Sequence, residues 1–89
     1  MSILWKNNEV NVSWNNIFTS PYQLYYEVSA GAVEASINIL QWQETTNTNI
    51  TFGIPSSVGA ISGLPIHVTI KSVSVGGFSA VKVDSFQLP

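Results

Sequence analysis

The acid–base inventory of this 89-residue chain is short: one histidine, His67, one aspartate, Asp84, four glutamates and three lysines. Nucleophilic catalysis by a serine needs a base to take the hydroxyl proton and an acid to orient that base. His67 and Asp84 are the pair available for that task. The strand–turn–helix serine signature Gly-x-Ser-x-Gly does not occur; Ser57-Val58-Gly59 and Ser62-Gly63-Leu64 both depart from it. His67 falls on the outward phase of an expected strand and reads as an exposed strand residue. A metal centre has no more to build on, because the chain has no cysteine and no His/Asp/Glu pair at ligand spacing. Nothing in the sequence brings two glutamates together as a glycosidic acid–base pair. Gly76-Gly77 lacks the following helix and lysine of a phosphate cradle, and reads as a hairpin turn. The expectation is no enzyme: no catalytic residues, no metal and no cofactor.

Binding chemistry is better supplied. Exposed aromatic rings beside amides can stack on sugar rings while the amides read hydroxyls, and the same composition suits a protein interface. Trp42 sits between Gln41 and Gln43, Trp5 lies in a thin first strand, and Tyr25 points opposite to Tyr22, Leu24 and Tyr26. Trp5, Tyr25, Trp42, Gln41 and Gln43 are therefore the candidate surface-binding residues. Trp14, in phase with Val10 and Val12, is expected in the core. Asn11-Val12-Ser13 and Asn49-Ile50-Thr51 match the acceptor pattern for N-glycosylation, with both asparagines on the outward phase.

These side chains need a scaffold, and its class follows from composition and period. A chain of this length forms one core, so residues 1–89 are read as a single domain. With 45% hydrophobic residues it carries enough apolar area to fold. Charge is scarce, at 9% against roughly 25% in an average soluble protein. The net charge of −2 gives little repulsion between copies, so self-assembly is open. Three lysines and no arginine do not make the basic patch that nucleic acid requires. No run reaches the roughly 18 apolar residues of a membrane span. The opening MSILWKNNEV lacks the long hydrophobic region of a secretory signal, and is expected to belong to a mature or recombinant form.

Apolar residues alternate along much of the chain, which is the strand period. Val10, Val12 and Trp14 form one row; Tyr22, Leu24, Tyr26 and Val28 a second; Ile50, Phe52 and Ile54 a third; Ile66, Val68 and Ile70 a fourth. The apolar phase then shifts to Val73 and Val75, which reads as a β-bulge. Val81 and Val83 continue as a buried row, and a second shift near Asp84 brings Phe86 and Leu88 inward. The span Gly31 to Gln43 fits a helix poorly and is read as strand from the alternation of Val33, Ala35, Ile37 and Ile39. Turns are expected at Asn15-Asn16, Ser20-Pro21, Ala30-Gly31, Thr45 to Asn49, Pro55 to Gly59, Ser62-Gly63 and Gly76-Gly77. Six or seven strands with turn signals about every 8–12 residues predict an all-β fold, a small antiparallel β-sandwich.

The run Glu9-Val10-Asn11-Val12-Ser13-Trp14 resembles the second strand of a fibronectin type III domain, which ends on a core tryptophan. Tyr22 to Val28 resembles the third strand. Ile61-Ser62-Gly63-Leu64-Pro65, followed by Ile66 to Val75 and Gly76-Gly77, is similar to the turn, Leu-x-Pro step, sixth strand and glycine-bearing loop of that family. The resemblance covers Glu9 to Val83 and implies an immunoglobulin-like, fibronectin type III-like architecture. Two departures stand out: Ile66 or His67 occupies the region where the family places a tyrosine early in the sixth strand, and the first strand is shortened to Ser2 through Lys6. Activity is not inherited from such a fold, and without arginine the family's Arg-Gly-Asp loop is excluded.

The functional expectation is a non-catalytic structural or adhesive module, self-assembling or binding a protein partner through its low-charge surface and edge strands. A carbohydrate-binding module or small lectin that takes a glycan on its aromatics is the alternative. Either role implies an extracellular, surface or virion-associated setting.

Overall fold

The computed structural model describes residues 1–6, 8–15, 17–20, 23–32, 38–56, 63–77 and 79–87. Among the described residues seven strands are formed: β1 (Ser2–Lys6), β2 (Glu9–Ser13), β3 (Leu24–Gly31), β4 (Leu40–Thr45), β5 (Asn49–Gly53), β6 (Pro65–Ser74) and β7 (Ser79–Gln87). They make two antiparallel sheets, β1-β2-β5 and β4-β3-β6-β7. The fold is thus the expected all-β sandwich.

Period-two burial closes the space between the sheets. From the three-stranded sheet come Val10, Val12 and Phe52, extended by Trp14 and Ile54 just past their strands; from the four-stranded sheet come Tyr26, Val28, Ala30, Ile66, Val68 and Ile70. All are buried. Burying each large aliphatic side chain contributes about 1.5–3 kcal/mol, which makes this dry layer the main force holding the fold. Trp14 anchors one end. Its backbone N–H donates to the Thr48 carbonyl (2.9 Å), and its ring meets Tyr26 edge-on at 5.5 Å between centroids. Tyr26 also lies 5.9 Å from Phe18, so an aromatic row runs from β2 across the gap.

The β1–β2 connection carries a turn that the alternation pattern does not reveal. Lys6 and Glu9 are paired, leaving two residues between them, and Asn8 has φ of 63°. Asparagine tolerates this left-handed conformation better than other residues with a Cβ, which suits it to a tight hairpin. The Asn8 carbonyl accepts from the Ile54 N–H at 3.0 Å, tying the hairpin to the chain after β5.

Four expectations are corrected. First, Ala30-Gly31 is not a turn: β3 continues through both residues, with Ala30 opposite Val68 and Gly31 opposite His67. Second, the strand expected over Gly31 to Gln43 is interrupted. Ala32, Asn38 and Ile39 are bends, and β4 starts at Leu40. The Asn38 side-chain oxygen accepts from the Ala32 N–H (3.1 Å), and the Ile39 N–H returns to the Ala30 carbonyl (3.1 Å), so local bonds replace a ladder there. Val33, Ala35 and Ile37 lie outside the described residues.

Third, β6 has no bulge. Its register with β3 and with β7 is unbroken, so the inward row runs Ile66, Val68, Ile70, Ser72, Ser74. Two small hydroxyl residues occupy inward sites that the sequence pattern assigned by hydrophobicity alone, while Val75 is left 82% exposed in the turn. The break in ladder geometry lies instead in β4, where register shifts between Val28 and Ala30. Fourth, Val81 and Val83 are not buried; they are 57% and 40% exposed. The inward positions of β7 are Ala80, Lys82, Asp84 and Phe86, which stand opposite Ser72, Ile70, Val68 and Ile66. No shift occurs near Asp84, and Leu88 is outside the described residues.

The outward face of the four-stranded sheet also contains buried polar residues, Ser29 and Thr69. The Ser29 hydroxyl has no hydrogen-bond partner and no solvent contact. A buried hydroxyl left unpaired costs about 1–3 kcal/mol. Ser29→Ala is accordingly expected to raise stability by about 1 kcal/mol in urea unfolding monitored by tryptophan fluorescence; a loss of 1 kcal/mol instead would show that the hydroxyl is satisfied.

Candidate functional site

Cross-strand partners share a face, so the registers place each candidate side chain. On the outward face of the four-stranded sheet, one row contains Glu44, Glu27, Lys71 and Val81, from β4 to β7. A neighbouring row carries Ser29, Thr69 and Val83, with Gln41 and Trp42 facing Ser29 at the β4 register shift. On the other side of the charged row lie Tyr25, Val73 and Ser79. Trp42 is 45% exposed and Gln41 is exposed, while Tyr25 is half-buried. Tyr25 and Ser29 are four residues apart on β3, so roughly 13 Å separates the Tyr25 and Trp42 rows.

The five sequence candidates do not gather into one site. Trp42, Gln41 and Tyr25 share the outward face. Gln43 is exposed but stands opposite Val28, on the inward side at the sheet's edge. Trp5 is in the other sheet, half-buried against the core, with its ring 6.3 Å from that of Phe86. Its position serves the closure of the sandwich near β7.

His67 and Asp84 stand on opposite faces of one sheet. His67 is opposite Ser85 on the outward face, whereas Asp84 is opposite Val68 on the inward face. Among the described residues no group of three His, Cys, Asp or Glu is placed to hold a metal ion.

The outward face of the three-stranded sheet is built differently. Leu4, Asn11 and Thr51 form one row and Lys6, Glu9 and Gly53 the next. The Asn11 amide donates to the Thr51 hydroxyl (2.9 Å) and to the Ile50 carbonyl (3.4 Å). Asn49 and Thr51 are exposed.

The feature that sequence reasoning missed is the inward face of β7. The opposing sheet has three strands, and β1 reaches only the Phe86 end through Trp5. Ala80, Lys82 and Asp84 therefore point inward yet stay exposed. An open groove of about 420 Å³ lies there, between Ile17 and Phe18 on one side and Leu24, Ser72, Ser74 and Ala80 of the four-stranded sheet on the other. A smaller space continues it past Met1, Lys82 and Asp84. The readable signal was the alternation itself: Ala80, Lys82 and Asp84 share one phase, and the valines between them share the other. Valine's usual preference for the interior decided the reading the wrong way.

Set beside protein-family models, curated proteins and solved structures, the chain matches none of them. No helix among the described residues is long and apolar enough to cross a membrane.

Proposed function

We propose that this domain is a non-catalytic structural or adhesive module that associates with copies of itself or with another protein through an edge strand. One observation carries the reading: β7 is a nine-residue edge strand, exposed along nearly its whole length, in unbroken register with β6. Free strand edges template pairing, and soluble proteins blunt them with proline, bulges or several charges. Within β7 the only charges are Lys82 and Asp84, and it has neither proline nor bulge. The low net charge adds little repulsion against close approach. Light scattering over a concentration series tests the reading. The weight-average mass is expected to rise above the 9.7 kDa of one chain as concentration increases; a constant single-chain mass up to about 1 mM would end it.

The architecture fits the immunoglobulin-like, fibronectin type III-like resemblance: seven strands in two antiparallel sheets, with the chain crossing between sheets after β2, β4 and β5. The reading assigns the module to an extracellular, surface or virion-associated setting, where a surface of amides and hydroxyls is at home.

A second reading, glycan binding, is favoured by one observation: Trp42 is exposed beside Gln41 on the outward face, one row from Glu27, Glu44 and Lys71. An array of glycans probed with the wild-type protein and with Trp42→Ala tests it. Binding lost in the variant supports the platform, and silence across the array removes it.

A further inference from the structure

Resting on that association reading, we propose that two copies join through β7, antiparallel about a two-fold axis at Val83, merging their four-stranded sheets into one sheet of eight. The other edges suit this less. β4 is interrupted by its register shift, and β1 and β5 have five residues each.

The backbone of β7 is set for pairing. The chain turns at Val75, Gly76 and Gly77, with Gly77 at φ of 85° and its N–H donating to the Ser74 carbonyl at 2.9 Å. From that closure the ladder alternates, so Ala80, Lys82 and Asp84 turn their backbone groups to β6. Ser79, Val81, Val83 and Ser85 turn theirs to the free edge. Two contacts agree. The Ser72 hydroxyl donates to the Ala80 carbonyl (3.4 Å), which must face β6, and the Ser85 N–H donates to its neighbour Asp84 Oδ1 (2.8 Å) instead of to β6.

Charge and length then select the same register. With Val83 opposite Val83, Lys82 of each copy stands opposite Asp84 of the other, Val81 opposite Ser85, and Ser79 opposite Gln87. All nine residues of β7 are used. Moving the axis to Lys82 sets lysine against lysine; moving it to Asp84 sets aspartate against aspartate. Opposed like charges destabilise a sheet, and opposed unlike charges stabilise it. Moving the axis further, to Val81 or Ser85, leaves four residues of each strand without a partner. A self-complementary patch of this kind is what a two-fold interface requires. On the outward face the junction brings together Val81 and Val83 of both copies, removing apolar surface from water. In the single chain, Asp84 covers the Ser85 N–H; on joining, that donor passes to the Val81 carbonyl of the other copy and the carboxylate to its Lys82.

Sedimentation equilibrium of the wild type, Lys82→Asp, Asp84→Lys and an equimolar mixture of the two variants tests the register, with circular dichroism to show that each is folded. Each variant alone opposes like charges twice, and its dimerisation is expected to weaken roughly thirtyfold. The mixture is expected to recover wild-type strength as a heterodimer, because two aspartates of one variant then face two lysines of the other. Val83→Pro removes an edge-facing N–H and spares the β6 ladder, so it is expected to fold and remain monomeric. If the wild type associates while both charge variants and Val83→Pro associate equally well, the β7 register is wrong and association through another surface survives. If the wild type stays monomeric up to about 1 mM, the register and the association reading fall together.

Discussion

Trp14→Ala is expected to lower stability by about 3–5 kcal/mol, the range for truncating a large aromatic in a packed interior. A domain of this kind has about 5–15 kcal/mol in total, so the variant sits at the margin of folding. Near the melting temperature the same loss is a fall in Tm of roughly 15–25 °C for a chain of this length. The size of the effect follows from position. Trp14 is fully buried, lies just beyond β2, and touches Tyr26 across the gap between the sheets. Tyr26 in turn lies near Phe18, which lines the groove under β7, so the cavity would open toward an existing void and collapse poorly. Trp14→Phe is the informative companion. The indole Nε1 is buried without a hydrogen-bond partner. Phenylalanine removes that unsatisfied donor while losing volume, so its cost is expected at about 1 kcal/mol or less, because the relieved desolvation of about 1–3 kcal/mol offsets most of the lost packing. Urea unfolding measured by the remaining tryptophans gives both values. Equal costs for the two variants would mean that the N–H is satisfied, and a cost below about 1 kcal/mol for Trp14→Ala would place the ring outside the core.

The course of the strands was legible where residue type and position in the sheet agree. Val10, Val12 and Trp14 alternate in sequence and are buried in fact, as are Ile66, Val68 and Ile70. The pattern failed where the two disagree. Ser72 and Ser74 continue the inward row because the backbone holds its period regardless of side chain, and an alternation judged by hydrophobicity alone mistakes polar insiders for a bulge. Ala30-Gly31 carries turn-like residues but lies in a strand paired on both sides, where tertiary pairing overrides local preference. The exposed aromatics were only partly readable for a related reason. Trp42 and Trp5 both sit in thin apolar strands, yet Trp42 is on an outward face and Trp5 is folded against Phe86. That difference is set by which sheet each strand joins, and topology is not written in a single strand. The scarcity of charge was legible from the start; its consequence, a long edge with one lysine and one aspartate, emerged only when β7 was found outermost.

Val28 and Val81 make the contrast measurable, because both are valines in strands of the same sheet. Val28 lies in β3, flanked by β4 and β6, and is fully buried against the opposing sheet. Val28→Asp would place a carboxylate in a dry layer whose buried residues include no lysine. The group would be forced to protonate or to pull water into the core, at a cost of several kcal/mol added to the lost packing, and the variant is expected to be unfolded at neutral pH. Its stability is expected to recover in part under mild acid, since a neutral carboxyl is cheaper to bury than a charged one. Val81→Asp is expected to change stability by no more than about 0.5 kcal/mol, as at other exposed positions. Val81 stands on the outward face of β7 opposite Lys71, so the new charge is solvated and has a cation across the strand. Far-ultraviolet circular dichroism and urea unfolding of the two variants side by side read the difference. A folded Val28→Asp would mean that the layer between the sheets is not dry at that position, and a Val81→Asp as damaged as Val28→Asp would mean that the outward face of β7 is covered. The same measurement bears on association. Val81→Asp adds one negative charge to each outward face at the junction, where Val81 stands opposite Ser85 of the other copy, so a folded Val81→Asp that dimerises less tightly than the wild type at low salt, and recovers at high salt, separates the edge's role in assembly from any role in stability.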